Sequence, residues 1–131
     1  MACNNRFNVS IPEPSPINQG EQVTTKLIEF IESLKDKAPN YTSFQNNFDI
    51  PSKDTLDEII QIIKLRDEFG FKKYGQHLMT GDKRNSINDA LQEFGDLIQY
   101  LYKAKLNNED ISHIKKYIFI LNIILNYDKF K

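Results

Sequence analysis

The chain has 131 residues, of which 40% are hydrophobic and 27% charged, and this composition is typical of one folded domain with a buried core. Its 17 basic and 18 acidic residues nearly cancel, so the chain lacks the overall positive charge with which many proteins bind nucleic acids or anionic membranes. A binding site for an anion therefore requires a local cluster of basic residues.

The sequence contains one cysteine, Cys3, which excludes a disulfide within the chain and is typical of a reducing compartment. Residues 1–22 contain no apolar run of the kind found in a signal peptide. The longest apolar stretch, YIFILNIILNY, is interrupted by Asn122 and is shorter than the roughly 20 residues that span a bilayer. We therefore expect a soluble, cytoplasmic protein with no membrane and no nucleic acid as its partner.

The sequence predicts an N-terminal arm followed by a folded domain. Residues 1–20 are predicted to form a flexible or extended arm, because Pro12, Pro14 and Pro16 at alternate positions exclude a helix. Residues 21–131 are predicted to form a single all-α domain.

Apolar residues recur at helical spacing in four segments of this domain. The segments are residues 21–37, ended by Pro39; residues 54–69, followed by Gly70; residues 86–106; and a fourth that follows Asn107 and Asn108. No strand pattern competes with them, so the sequence predicts a four-helix bundle-like fold. The third helix begins at Ser86 in the motif SIND, which resembles a capping box with Asp89 in place of the usual glutamate.

The third predicted helix carries an acidic edge. Asp89, Glu93 and Asp96 lie at positions i, i+4 and i+7, apart from the apolar face, and no basic residue occurs between Asn85 and Lys103. Like charges at this spacing cost roughly 0.2–0.5 kcal/mol when nothing compensates them. Such an edge is either a solvated acidic face or a set of oxygen ligands for Mg²⁺ or Mn²⁺.

The second predicted helix places a charge on its apolar side. Asp67 falls in line with Ile60 and Ile63, and Arg66 also lies near that side. Because a buried charge needs a partner, two interpretations remain open. Asp67 either forms a structural pair with Arg66 or supplies a further carboxylate that faces the third helix.

Basic residues cluster between the second and third helices. They are Lys72, Lys73, Lys83 and Arg84, with Tyr74 and His77 among them. Lysine and arginine beside a helix N-terminus can bind phosphate oxygens, although a solvated loop would have the same composition. Next to an acidic edge, the cluster indicates a site where phosphates bridge a metal and cationic side chains.

Several short motifs occur in one order between residues 66 and 105. They are an R-x-x-x-G-x-x-K-Y-G block from Arg66 to Gly75, then Leu78 and Arg84, a D-A-x-x-E-x-x-D helix from Asp89 to Asp96, and a Y-L pair at Tyr100 and Leu101. In these motifs the segment resembles the MazG-like all-α nucleotide pyrophosphohydrolases, and in particular the short phage form often described as a dATP/dGTP diphosphohydrolase. The resemblance covers roughly 40 of the 131 residues.

The resemblance implies hydrolysis of a nucleoside triphosphate to a monophosphate and pyrophosphate, with Mg²⁺ or Mn²⁺ as cofactor. It also implies a helical bundle in which active sites form where the subunits of a homo-oligomer pair. Glu93 and Asp96 match the family's metal-binding E-x-x-D pair, and Asp89 is a third candidate ligand. Asp67 or Glu68 would complete the metal shell or position the attacking water, so these two residues and Glu93 are the candidate catalytic residues.

The same resemblance assigns the basic segment to the substrate. Lys73 and Arg84 would contact phosphate, and Tyr74 would pack on the base or the sugar. His77 is a further candidate for substrate binding.

The chain departs from the family in its second helix, where fuller MazG-like proteins have an E-E-x-x-E cluster and this sequence has DEIIQIIKLRDE. Two other interpretations therefore stay open. One is a catalytically inactive protein that binds or sequesters a nucleotide on the same scaffold. The other is a structural helical module that acts through its surfaces.

Overall fold

The computed structural model describes residues 19–37 and 50–131. This part of the chain contains four α-helices, which are α1 (Val23–Leu34), α2 (Lys53–Tyr74), α3 (Ser86–Leu106) and α4 (Ser112–Leu125). Short 3₁₀ turns, Lys35–Lys37 and Tyr127–Lys129, follow α1 and α4. The described residues form no β-strand beyond one isolated bridge, so the predicted all-α fold is confirmed. Among these residues, no helix combines the length and the apolar character needed to cross a bilayer.

Most of the predicted arm, residues 1–18, lies outside the described residues. Its last two residues belong to a short segment, residues 19–23, that runs antiparallel to residues 78–81 in the connection between α2 and α3. Three backbone hydrogen bonds of 2.9 Å join the two segments, from Val23 to Leu78, from Thr80 to Glu21 and from Gly81 to Gln19. Gly20 has a φ of +87°, and a Cβ at this position would overlap the Thr80 hydroxyl, so the pairing requires glycine here.

Helix α2 extends beyond the end that the sequence pattern predicts. It begins after Ser52, whose side chain accepts a hydrogen bond from the backbone N–H of Thr55 at 3.3 Å. It continues through Gly70 and ends at Gly75, which has a φ of 73° and donates its N–H to the carbonyl of Phe71 at 2.7 Å. Glycine within a helix costs about 1 kcal/mol relative to alanine, whereas the left-handed cap strongly favours glycine. The helix therefore ends at the second glycine and not at the first.

Helix α3 begins at Ser86, as predicted, but a different side chain caps it. The side chain of Asn85 accepts a hydrogen bond from the backbone N–H of Asn88 at 2.9 Å. Ser86 is therefore the first helical residue and not the cap. Both positions suit a short polar side chain, and only the backbone conformation of Asn85, which is extended, decides between them.

The core is built by α1, the first half of α2 and α4. Its buried apolar side chains are Ile31 and Leu34 of α1, Leu56, Ile59 and Ile60 of α2, Ile123 of α4, and Ile50 and Phe130 outside the helices. Helix α3 contributes no buried side chain. The second half of α2 and the whole of α3 therefore lie at the margin of this core.

The apolar face of α3 remains exposed in the single chain. Ile87, Phe94 and Ile98 lie along one stripe of the helix and are 73%, 55% and 50% exposed. Most helices in water are stabilised by burial of such a face, and exposed apolar patches on folded proteins commonly mark interaction sites. We call these three residues the α3 stripe.

The two serines at the starts of α2 and α3 make a matched test of helix capping. Ser52→Ala should lower the free energy of unfolding by about 1 kcal/mol, because it removes the acceptor for the Thr55 N–H. Ser86→Ala should change it by less than about 0.5 kcal/mol, because Asn85 still caps α3. Urea unfolding of both variants measures the difference, and a larger loss from Ser86→Ala would show that the cap of α3 is Ser86.

Candidate active site

An open pocket with a volume of about 470 Å³ lies where α1, α2, α3 and the α2–α3 connection meet. Its charged lining residues are Arg66 and Asp67 of α2, Arg84 of the connection, and Asp89 and Glu93 of α3. The apolar and aromatic lining includes Ile62, Ile63, Phe71, Tyr74 and Leu78. Carboxylates and guanidinium groups beside apolar surface are suited to a ligand that carries both phosphate groups and a less polar part.

The length of α2 explains which of its residues reach the pocket. Ile63, Asp67 and Tyr74 are four and seven residues apart, so they lie on one face of the helix and all three line the pocket. Glu68 and Lys73 lie on other sides of α2, are exposed, and are not among the lining residues. The ammonium group of Lys73 lies 5.1 Å from the centre of the Tyr74 ring. The pocket thus contains Asp67 and Tyr74 of the predicted site, while Glu68 and Lys73 lie outside it.

Helix α3 brings two of the three predicted metal ligands into the pocket. Asp89 and Glu93, one turn apart, both line it, whereas Asp96 lies a further turn along the helix, is exposed and does not. Within residues 19–37 and 50–131, no three Asp, Glu, His or Cys side chains are grouped in a way that could hold a metal ion. The carboxylates that face the pocket in a single chain are therefore those of Asp67, Asp89 and Glu93.

Arg84, predicted to contact phosphate, and Asp89, predicted to bind the metal, contact each other. Nε of Arg84 donates to Oδ2 of Asp89 at 3.1 Å, and the two side chains are only 9% and 22% exposed. The backbone N–H of Arg84 donates to Oδ1 of the buried Asp82 at 3.1 Å, which orients the start of this segment. The two charges of such a largely buried pair are coupled more strongly than those of an exposed pair, because water screens them less.

Asp67 is bound by residues of two other elements. The hydroxyl of Thr24 in α1 donates to Oδ1 of Asp67 at 3.2 Å, and Nδ1 of His77 in the connection lies 2.9 Å from the same oxygen. Arg66, the alternative partner, instead places its guanidinium group 4.8 Å from the centre of the Phe69 ring. Thr24 and His77, and not Arg66, are therefore the partners of Asp67.

His77, predicted to bind substrate, lies behind Asp67. Its ring stacks on the ring of Phe71, with the two centres 4.5 Å apart and the planes inclined by 23°. Asp67 and Phe71 line the pocket, but His77 does not. His77 therefore contacts Asp67 but does not itself line the pocket.

Two polar lining residues have no signal in the sequence. Thr24 lies 43 residues before its partner Asp67, and nothing in the spacing of α1 marks it. Gln76 lines the pocket, and its side-chain oxygen is buried without a hydrogen-bond partner. Both residues reach the pocket because the α2–α3 connection is paired with the residues that precede α1.

Comparisons of the chain with protein-family models, with curated proteins and with solved structures gave no match.

The Arg84–Asp89 pair can be tested by a double-mutant cycle. Arg84→Gln and Asp89→Asn, alone and together, should give a coupling energy of roughly 0.5–3 kcal/mol in urea unfolding, because the two side chains are in contact and largely shielded from water. The exposed pair between Lys131 and Asp128 is the control, and its cycle with Lys131→Gln and Asp128→Asn should give no measurable coupling. Equal coupling in the two cycles would contradict the assigned contact.

Proposed function

We propose that the chain is a Mg²⁺-dependent nucleoside triphosphate pyrophosphohydrolase that cleaves (d)NTPs to (d)NMPs and pyrophosphate. The observation that carries this proposal is one pocket whose lining includes three carboxylates and two guanidinium groups, those of Asp67, Asp89, Glu93, Arg66 and Arg84. The resemblance of residues 66–105 to MazG-like enzymes supports the same chemistry.

The donor set of the pocket fits Mg²⁺. This ion is commonly bound through one or two carboxylates together with waters and substrate phosphates, so Asp89 and Glu93, one helical turn apart, are a sufficient protein contribution. When bound, the ion supplies charge that polarises the phosphates and acidifies water. Asp96, which the resemblance also assigns to the metal, would add a ligand if the substrate or a second subunit brought the ion closer to it.

The residues of the chain divide the remaining work. Arg66 and Arg84 bind phosphate oxygens and neutralise the negative charge that develops as the phosphoanhydride bond breaks. Asp67 accepts the proton of the water whose oxygen forms the new bond to phosphorus, and pyrophosphate leaves with the bridging oxygen. Tyr74 and the neighbouring apolar lining hold the base or the sugar.

Turnover by the protein and loss of turnover in Glu93→Gln test this proposal. Pyrophosphate release is measured with Mg²⁺ and a panel of dNTPs and NTPs. The kcat/KM of Glu93→Gln should be roughly 100-fold or more below that of the wild type, since a correctly held metal contributes several kcal/mol and 1.36 kcal/mol is tenfold in rate. Glu109→Gln, which alters an exposed glutamate just beyond α3, is the matched control and should keep full activity. Equal rates for the two variants would show that Glu93 has no role in the reaction.

A protein that binds a nucleotide without hydrolysing it is the second candidate function. The contact between Arg84 and Asp89 favours it. When these two side chains pair with each other, Asp89 is less available to a metal ion and Arg84 is less available to a phosphate. If this candidate is correct, a nucleotide should raise the melting temperature of the protein, but no pyrophosphate should be released. Absence of both effects would favour a helical interaction module.

The proposed assembly is a homo-oligomer, at the smallest a dimer, that covers the α3 stripe. The stripe, Ile87, Phe94 and Ile98, is uncharged and exposed, so an identical apolar stripe of a second copy suits it in a two-fold symmetric interface. Ala90 and Glu93 of the pocket lie on the same helix beside the stripe. A second copy on α3 would therefore also lie next to the pocket.

Light scattering after gel filtration measures the oligomeric state. The protein should elute with at least twice the mass of one chain, and Ile98→Lys should give a monomer because it places a charge within the stripe. Tyr100→Lys is the control, since Tyr100 is 68% exposed but lies about 160° around the helix from Ile98. A monomeric wild-type protein, or an unchanged mass for Ile98→Lys, would contradict the proposed interface.

A further inference from the structure

Asp67 is the point at which three separate elements of the chain meet. It belongs to α2, Thr24 reaches it from α1 and His77 reaches it from the connection that leads to α3. The side chain of Asp67 is 18% exposed and that of His77 is 29% exposed, so the contact is largely removed from solvent. Such a contact holds the carboxylate more firmly than a surface hydrogen bond would.

Both hydrogen bonds end on the same oxygen of Asp67. The hydroxyl of Thr24 is 3.2 Å and Nδ1 of His77 is 2.9 Å from Oδ1. A carboxylate oxygen accepts hydrogen bonds, so His77 takes part in this contact as a donor, through an N–H at Nδ1. Oδ2 is therefore the oxygen that remains to act on a ligand in the pocket that Asp67 lines.

The ring of His77 is itself held in place. It stacks on Phe71, which lies one helical turn after Asp67 in α2, with the ring centres 4.5 Å apart. The adjacent residue Leu78 is tied to Val23 by a backbone hydrogen bond of 2.9 Å. Both the ring and the backbone of this segment are thus anchored, and His77 has a fixed direction from which to donate.

We infer that His77 and Thr24 are positioning residues for Asp67, and this inference rests on the proposed hydrolase function. By occupying Oδ1 from two sides they fix the rotation of the carboxylate, so that Oδ2 accepts the proton of the attacking water. His77 lies outside the pocket lining, and Thr24, which does line the pocket, donates its hydroxyl to Oδ1 of Asp67. Loss of either one leaves the carboxylate of Asp67 less restricted in rotation, which lowers the rate of the chemical step more than it weakens substrate binding.

The test compares variants that keep or remove each donor. His77→Phe keeps an aromatic ring beside Phe71 but has no donor, whereas His77→Asn has a side-chain N–H close to the position of Nδ1. Thr24→Val removes the hydroxyl with little change in shape. His113→Phe is the control, because His113 is an exposed residue of α4.

Steady-state pyrophosphate release and the melting temperature are measured for every variant. His77→Phe and Thr24→Val should lower kcat about 10- to 100-fold with little change in KM, which is the range typical of residues that orient a ligand or base. His77→Asn should recover much of the lost kcat, and His113→Phe should match the wild type. If His77→Phe fails to fold, Thr24→Val and His77→Asn decide the outcome.

The results separate this inference from the proposed function. A wild-type protein that releases pyrophosphate, with a folded Thr24→Val or His77→Phe variant of unchanged kcat, overturns the positioning role and leaves the hydrolase function intact. A rise in KM without a fall in kcat also overturns it, because it would assign these residues to substrate binding. A wild-type protein without turnover overturns both.

Discussion

The candidate site depends on the backbone pairing between residues 19–23 and residues 78–81. Its hydrogen bonds tie the connection between α2 and α3 to the start of α1. Because of this pairing, Thr24 and His77 approach Asp67 from different elements and bind the same oxygen. The geometry of the pocket therefore depends on backbone contacts that lie outside the pocket. A change in this pairing would alter the hydrogen bonds that hold the Asp67 carboxylate, even if no charged residue were replaced.

Helix α3 is placed in a different way from the rest of the domain. The other helices bury apolar side chains in a common core, but α3 buries none. Its N-terminal end follows Arg84, whose ion pair with Asp89 joins the connection to the first turn of the helix. One wall of the pocket is thus held by a loop and an ion pair, while its apolar stripe faces solvent. A ligand in the pocket and a second copy on the stripe would both bury part of α3, so that binding and the proposed assembly would be thermodynamically linked.

The charges that line the pocket favour a nucleotide that binds together with a divalent cation, as the proposed function requires. Three carboxylates line the pocket and two guanidinium groups accompany them, so a polyphosphate alone would meet an excess of negative charge. In the proposed function, a divalent cation would reverse that balance and would leave Arg66 and Arg84 to act on the phosphates. The near-zero net charge of the whole chain does not reveal this local arrangement, because it sums charges over all 131 residues.

The sequence by itself determined the four helices and the shared edge of Asp89 and Glu93, because hydrophobic period and helical spacing are local properties. It did not determine the end of α2, since Gly70 and Gly75 are both permissible stops and only the left-handed conformation of Gly75 decides between them. The exclusion of Asp96 from the pocket, and the convergence of Thr24 on Asp67, were decided by tertiary structure alone. Contacts between residues 43 positions apart depend on how the helices pack and how their connections pair, and no local pattern encodes that distance.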